Sequence, residues 1–365
     1  MQKVKGIGAR IALAILSGCV MQPRIPEPPP RKPADIRAEI VRLMPSTIKD
    51  PDAWATDITA AFAALQIAPT TSHLCAALAV TEQESTYVAD PPVAGLGKIA
   101  RAEIDRRAKQ KNIPQPLVRG ALALSSSNGK RYAERIATVR TERELSLIYE
   151  DLIDRVPMGQ RLFADSNPVR TGGPMQVSIA FAEQHVRKTP YPYPLSGSIR
   201  NEVFTRRGGM YFGIAHLLDY PARYDKPLYR FADFNAGLYA SRNAAFQNAV
   251  SVASGIPLVL DGDLVIHGSR AVGTTEVAAR SLGKSFGITD ARIRRALEQG
   301  DDIAFETSDV YERVFERAEA NEKRTLPRAL IPRIDLKSPK ITRKLTTEWF
   351  ATRVDARYQR CLKKR

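Results

Sequence analysis

Apolar positions in this chain recur mostly at helical spacing. Trp54, Ile58, Phe62 and Leu65 fall three or four residues apart behind the turn-like Lys49-Asp50-Pro51-Asp52, which predicts an amphipathic helix. Thr71 and Ser72 offer caps for a second helix running through Leu74, Ala77, Leu78 and Thr81 to Glu84. Its stretch Leu74-Cys75-Ala76-Ala77-Leu78-Ala79-Val80 is apolar all round, so this helix is predicted to be buried on every side. Thr141 and Glu144 make a capping box ahead of Leu145, Ile148, Tyr149 and Leu152. Further helices are predicted over 176–185, 211–218, 235–252, 275–282 and 290–297. One β-hairpin is predicted, with runs 257–260 and 263–266 joined across Asp261-Gly262. The pattern is that of a mainly α protein with one hairpin.

The N-terminus adds a destination. Lys3, Lys5 and Arg10 precede the apolar run 11–16 and then Ser17-Gly18-Cys19, the order of charge, apolar stretch and small residues in a secretory signal. Leu16-Ser17-Gly18-Cys19 also resembles the bacterial lipobox. That resemblance implies removal of residues 1–18 and diacylation of Cys19. Pro23, Pro26, Pro28, Pro29, Pro30 and Pro33 then punctuate residues 19–34, and proline at that density predicts an extended tether. The lipobox resemblance reserves Asp after the cysteine for inner-membrane retention. Val20 stands there, which implies the periplasmic side of the outer membrane. No other segment approaches the roughly 20 apolar residues of a spanning helix, which leaves the lipid as the link to the membrane. Once Cys19 is lipidated, Cys75 and Cys361 remain in an oxidising compartment, either as a disulfide or as two separate thiols.

Composition narrows the partners. Of 365 residues, 44% are hydrophobic and 26% charged, a globular balance. Lys and Arg outnumber Asp and Glu by 55 to 39, a formal net charge of +16 that favours nucleic acid, acidic lipid or an acidic wall polymer. No Arg/Lys-rich helix interleaved with aromatics is present, which argues against nucleic acid. His73, His185, His216 and His267 are scattered, and no His or Cys spacing suits a metal. No cofactor and no metal are expected.

Chemistry gathers where the buried helix ends, at Gln83-Glu84-Ser85. Glu84 shares a face with Ala77, Val80 and Thr81. Desolvation and the negative end of the helix dipole both favour its protonated form. Glycosidic cleavage needs such an acid, because the leaving oxygen must receive a proton.

Downstream lie Gly172-Gly173-Pro174-Met175-Gln176, then Ala232-Asp233-Phe234-Asn235-Ala236-Gly237, then Phe305-Glu306-Thr307-Ser308-Asp309-Val310-Tyr311. With Glu84-Ser85, and in this order, they resemble the motifs of the lytic transglycosylases of the goose-lysozyme-like superfamily, over residues 54–315. The resemblance implies a lysozyme-like fold that cleaves peptidoglycan glycan strands at the MurNAc-GlcNAc bond and leaves 1,6-anhydro ends. It implies Glu84 as the single acid/base, Ser85, Met175 and Gln176 beside the substrate, Asn235 bonding near Glu84, and the Tyr311 hydroxyl close to the Glu84 carboxyl. Four departures stand out. Residues 90–171 form a large insertion, predicted helical, between the first two motifs. Pro174 replaces Leu, Phe234 replaces Tyr, and Tyr311 lies one place beyond the superfamily's tyrosine. The body then spans 35–321, and the basic extension 322–365 follows, helical from Thr346 towards Lys364, with its charges on a solvated face. The altered motifs suit an alternative, a non-catalytic peptidoglycan-binding or scaffold lipoprotein. A hydrolase using water is a third reading.

Overall fold

The computed structural model describes residues 31–155, 167–195, 197–336 and 344–364. The signal, Cys19 and nearly all of the proline tether lie outside them. Pro33–Arg365 form one compact unit, and it is mainly helical.

Three helices open the body: α1 (Pro33–Leu43), α2 (Pro51–Ala64) and α3 (Thr71–Ser85). The insertion carries α4 (Leu96–Gln110), α5 (Gln115–Ala123), α6 (Tyr132–Thr138) and α7 (Glu142–Arg155), which pack on one another. Strands β1 (Thr171–Gly172) and β2 (Val177–Ser178) pair antiparallel. After them come α8 (Ile179–Lys188), α9 (Ile199–Val203), α10 (Arg206–Leu218) and α11 (Pro227–Ala236). The chain continues as α12 (Ala240–Ser254), α13 (Thr274–Phe286), α14 (Asp290–Leu297), the 3-10 turn Ile303–Thr307 and α15 (Asp309–Glu322). A second short pair, β3 (Asp335–Leu336) with β4 (Leu345–Thr346), precedes α16 (Thr347–Leu362).

Burial follows the apolar pattern. Leu74 to Thr81 are all buried, as a helix apolar on every side requires. Thr70, not Thr71, caps α3 by accepting from His73 N at 3.1 Å. The Thr141/Glu144 box is reciprocal, with Glu144 N donating to Thr141 Oγ1 at 3.2 Å and Thr141 N to Glu144 Oε2 at 3.3 Å. Two cores result. The larger joins α1–α3, the insertion helices, α8, α10, α11 and α16; the smaller lies among α12–α15.

Three expectations are corrected. The hairpin across Asp261-Gly262 is absent, because other groups take up its backbone. Gln247 of α12 donates to Asp263 O at 3.0 Å and to the Asp261 carboxylate at 2.7 Å, and accepts from Gly262 N at 2.8 Å. Arg333 N donates to Leu260 O at 2.7 Å. Leu264 and Val265 are both buried although adjacent, so the alternation of a strand is also missing. The strand pairs that do form lie elsewhere, β1–β2 around the Gly-Gly-Pro-Met-Gln turn. Next, the helix expected over 235–252 is broken at Gly237, whose φ of 120° no L side chain favours, so Asn235 belongs to the last turn of α11.

Finally, 322–365 is no separate extension but part of the body. Its helix forms where expected, and Arg353, Arg360, Lys363 and Lys364 do lie on a solvated face. Phe350, Ala351, Val354, Tyr358 and Cys361 of α16 are buried in the larger core against α3 and α11. Cys361 is disulfide-bonded to Cys75 of α3. Tyr358 OH bonds Ser72 Oγ at 2.8 Å, and Arg360 donates to Glu82 at 2.8 Å. The basic residues fill the outer face of a helix whose inner face is apolar, the amphipathic division that charge composition alone conceals.

Candidate active site

Glu84 is the penultimate residue of α3. The helix stops at Thr86 and Tyr87, two consecutive non-glycine residues in left-handed conformation at φ 51° and 61°. Each costs about 1 kcal/mol or more, and such strain persists only where packing enforces it. Tyr87 supplies that packing. It is buried, its hydroxyl donates to Leu78 O at 3.1 Å, and its ring meets Trp54 edge-on at 5.6 Å. Trp54 in turn lies under the Arg206 guanidinium, which pairs with Asp57.

The Glu84 side chain is half-buried, and among the described residues its carboxyl has neither a hydrogen-bond partner nor an ion pair. Desolvation pushes its pKa up to about 7, and no charged group contributes to the shift. The carboxyl is thus desolvated while the residue keeps some surface reachable from solvent. Its neighbour Gln83 has a buried Oε1 that finds no partner among the described residues.

Helix α10 connects α3 to the second motif. Thr81, on the Glu84 face of α3, touches Met210 of α10 through its hydroxyl at 3.6 Å. The turn between β1 and β2 lies directly on α10. A Cβ at Gly209 would stand 2.3 Å from Pro174, and one at Gly213 would stand 2.4 Å from the Met175 sulfur. Glycines are poor helix residues by about 1 kcal/mol each, and here they permit the close approach of the motif.

Met175 is accordingly fully buried against α10 rather than facing a cleft. Gln176 is half-buried in left-handed conformation at φ 49°. Its amide is turned onto its own hairpin, donating to Gly173 O and accepting from Thr171 Oγ1, both at 3.3 Å. The Ser85 hydroxyl is also used locally, donating to Thr81 O at 3.1 Å. Asn235 accepts from Thr347 Oγ1 at 3.0 Å and so ties α11 to the start of α16.

Tyr311 is placed in the smaller core, stacked on Phe246 with ring centroids 5.7 Å apart and edge-on to Phe305 at 5.3 Å. No hydrogen bond among the described residues joins it or Asn235 to Glu84. Glu84, the Met175-Gln176 turn and Asn235 thus belong to the larger core's elements, and Tyr311 to the other. Glu306 of the last motif faces the fully buried Arg242, whose guanidinium lies 3.8 Å from the carboxylate and donates to Gly300 O at 2.6 Å.

Two further residues of this region are defined by the fold. Asp233, which its place beside Asn235 offers either as a second acid or as a loop cap, is fully buried. It accepts from Tyr224 OH at 2.6 Å, Tyr220 OH at 3.1 Å and Ser241 N at 2.6 Å, so it clamps the break between α11 and α12. His216 of α10 packs between Phe181 at 4.5 Å and Phe234 at 5.0 Å, and its Nδ1 is buried without a partner. Phe234 is the position at which the superfamily resembled has Tyr. The alternation of types around a lone His carries no periodic signature, so only the fold reveals this contact. A cavity of about 190 Å³ borders the same motif, lined by Ala236, Gly237, Asn243, Asp263 and His267 among others. Among the described residues no group of three His, Cys, Asp or Glu side chains could hold a metal ion.

Against known proteins, residues 47–364 match the family model described as a protein of unknown function, DUF1615. The chain belongs to this family. A relative, the uncharacterized protein YaiW of Escherichia coli (strain K12), is 54% identical over 353 residues, covering 97% of this chain and 96% of its own length. No solved structure matches.

Proposed function

We propose that this protein is a lysozyme-like lytic transglycosylase of peptidoglycan, lipid-anchored at Cys19 on the periplasmic side of the outer membrane. The observation that carries the reading is Glu84, a desolvated carboxyl near the end of a buried helix, raised to about 7 with no second charge acting on it. A hydrolase of the two-carboxylate kind works with a second acid, whereas the transglycosylase route needs only one. A lone acid suits the transglycosylase route. Glu84 protonates the glycosidic oxygen as the bond from the anomeric carbon to it breaks. The resulting carboxylate takes the proton of the muramyl 6-hydroxyl, whose oxygen closes on the anomeric carbon, and the carboxyl is regenerated. The β1–β2 turn on α10 and the Asn235 turn agree with the order of motifs in that superfamily.

A second reading is a non-catalytic peptidoglycan-binding lipoprotein. It is favoured by Phe234, which brings no hydroxyl, and by Tyr311, which is spent in the smaller core. Incubation with purified sacculi separates the readings. Soluble muropeptides ending in 1,6-anhydroMurNAc support the proposal, reducing ends indicate a hydrolase, and co-sedimentation without release indicates a binding protein.

A further inference from the structure

Among the described residues, half of the large apolar side chains that stand exposed belong to residues 256–277. Three of them are neighbours. Ile266 is 47% exposed and packs over Gly273, 3.4 Å from where a Cβ would stand; Val272, 42% exposed, directly precedes that glycine. Val277, 51% exposed, lies one turn along α13, its N–H bonded to Gly273 O at 2.9 Å.

The loop is held in this posture from beneath. Arg294 of α14 donates to Ser269 O at 2.7 Å and Ala271 O at 3.2 Å, and is itself fixed by the fully buried Glu276 at 2.7 Å. An ion network centred on the buried Glu276 thus holds the loop so that its apolar side chains face water, and a cluster of them marks a surface to be covered. From Leu264 to Thr275 the sequence has no acidic residue, and Arg270 is its exposed cation.

We propose that Ile266, Val272 and Val277, with Arg270 at headgroup level, form a docking patch for the lipid bilayer to which the chain is anchored. The inference rests on the lipid anchor at Cys19 and is independent of catalysis. An apolar tip with an arginine beside it fits the interface, where the side chains enter the acyl boundary and the cation meets phosphate. So small a patch would hold a free protein weakly. The tether changes that. Residues 19–32 separate the proposed anchor from the body and, whatever their conformation, span at most about 50 Å, which keeps the body beside the membrane at an effective concentration in the millimolar range. Weak contacts then suffice to orient it.

The test uses the mature chain reconstituted in phosphatidylethanolamine/phosphatidylglycerol vesicles with brominated acyl chains, which quench tryptophan on contact. Val277→Trp is compared with Leu195→Trp, an exposed apolar site 51% open elsewhere on the body, above the background of Trp54 and Trp349. Docking predicts loss of roughly half of the emission added at 277, for a side chain 5–10 Å deep in the interface. It predicts no loss at 195, and recovery when Ile266→Asp and Val272→Asp are added to Val277→Trp. Equal quenching at both positions, or none at 277, overturns the proposal; so does self-association through the patch without quenching. The mass of the same sample reports the diacylglycerol on Cys19. Its absence refutes the anchor, and the docking that rests on it, without bearing on peptidoglycan cleavage.

Discussion

Glu84 and His216 show how one cause, burial, moves two groups in opposite senses. The Glu84 carboxyl is raised to about 7, because desolvation penalises the anion. A reaction that needs the acid form therefore loses rate above that value, roughly tenfold per pH unit. The stability consequence has the matching sign. A carboxyl whose folded pKa lies above its usual 4.5 costs stability as pH climbs from 4.5 through 7, so Glu84→Gln should melt at an equal or higher temperature than the parent at pH 8. Thermal melts at pH 5 and pH 8 check this.

For His216, burial lowers the pKa from 6.5 to about 4, because the cation is penalised. Stability is full above 6.5 and falls as pH drops towards 4, by about 3 kcal/mol for this group. His216→Phe, placed between Phe181 and Phe234, should remove most of that slope in urea unfolding at pH 4.5 and pH 7. Of these two, Glu84 was legible in the sequence because it ends an apolar run. The surroundings of His216 were not, since they come from three separate helices.

At the scale of elements, helices were easier to read than turns. The apolar run of α3 and the capping box of α7 are local signals, and each formed where its residues stand. Asp261-Gly262 is also a local signal, yet it failed, because a side chain of α12 offers the loop better partners than a second strand would. The placement of α16 was legible only through one of two open readings of Cys75 and Cys361, the disulfide that joins residues 286 apart. Closing so long a loop restricts the unfolded chain, and Cys75→Ala/Cys361→Ala should cost about 3 kcal/mol in urea unfolding. The glycines of α10 offer a sharper contrast. Gly209→Val would drive a side chain into Pro174 and Val203 O, and should destabilise by about 2 kcal/mol or more, with loss of whatever the Met175-Gln176 turn does.

For the whole molecule, the net charge of +16 suggested an anionic partner without locating it. The fold distributes that charge. Arg357 and Arg360 are drawn to Glu82, Arg242 is buried with Glu306, and Arg294 braces the exposed loop. These cations are structural, and the surplus lies in others. What the sequence motifs brought to one body is Glu84 in α3, the β1–β2 turn on α10 and Asn235 facing α16. Tyr311 instead completes a second core.

The central claim is that Glu84 is the acid of a glycan-cleaving enzyme. The most direct measurement is digestion of purified peptidoglycan by the parent and by Glu84→Gln side by side, with both shown folded by their melts and products read by mass spectrometry. The claim predicts anhydromuropeptides from the parent and a loss of about a thousandfold or more in the variant, as removal of an essential acid requires. Equal release by both, or none from a folded parent, would contradict it.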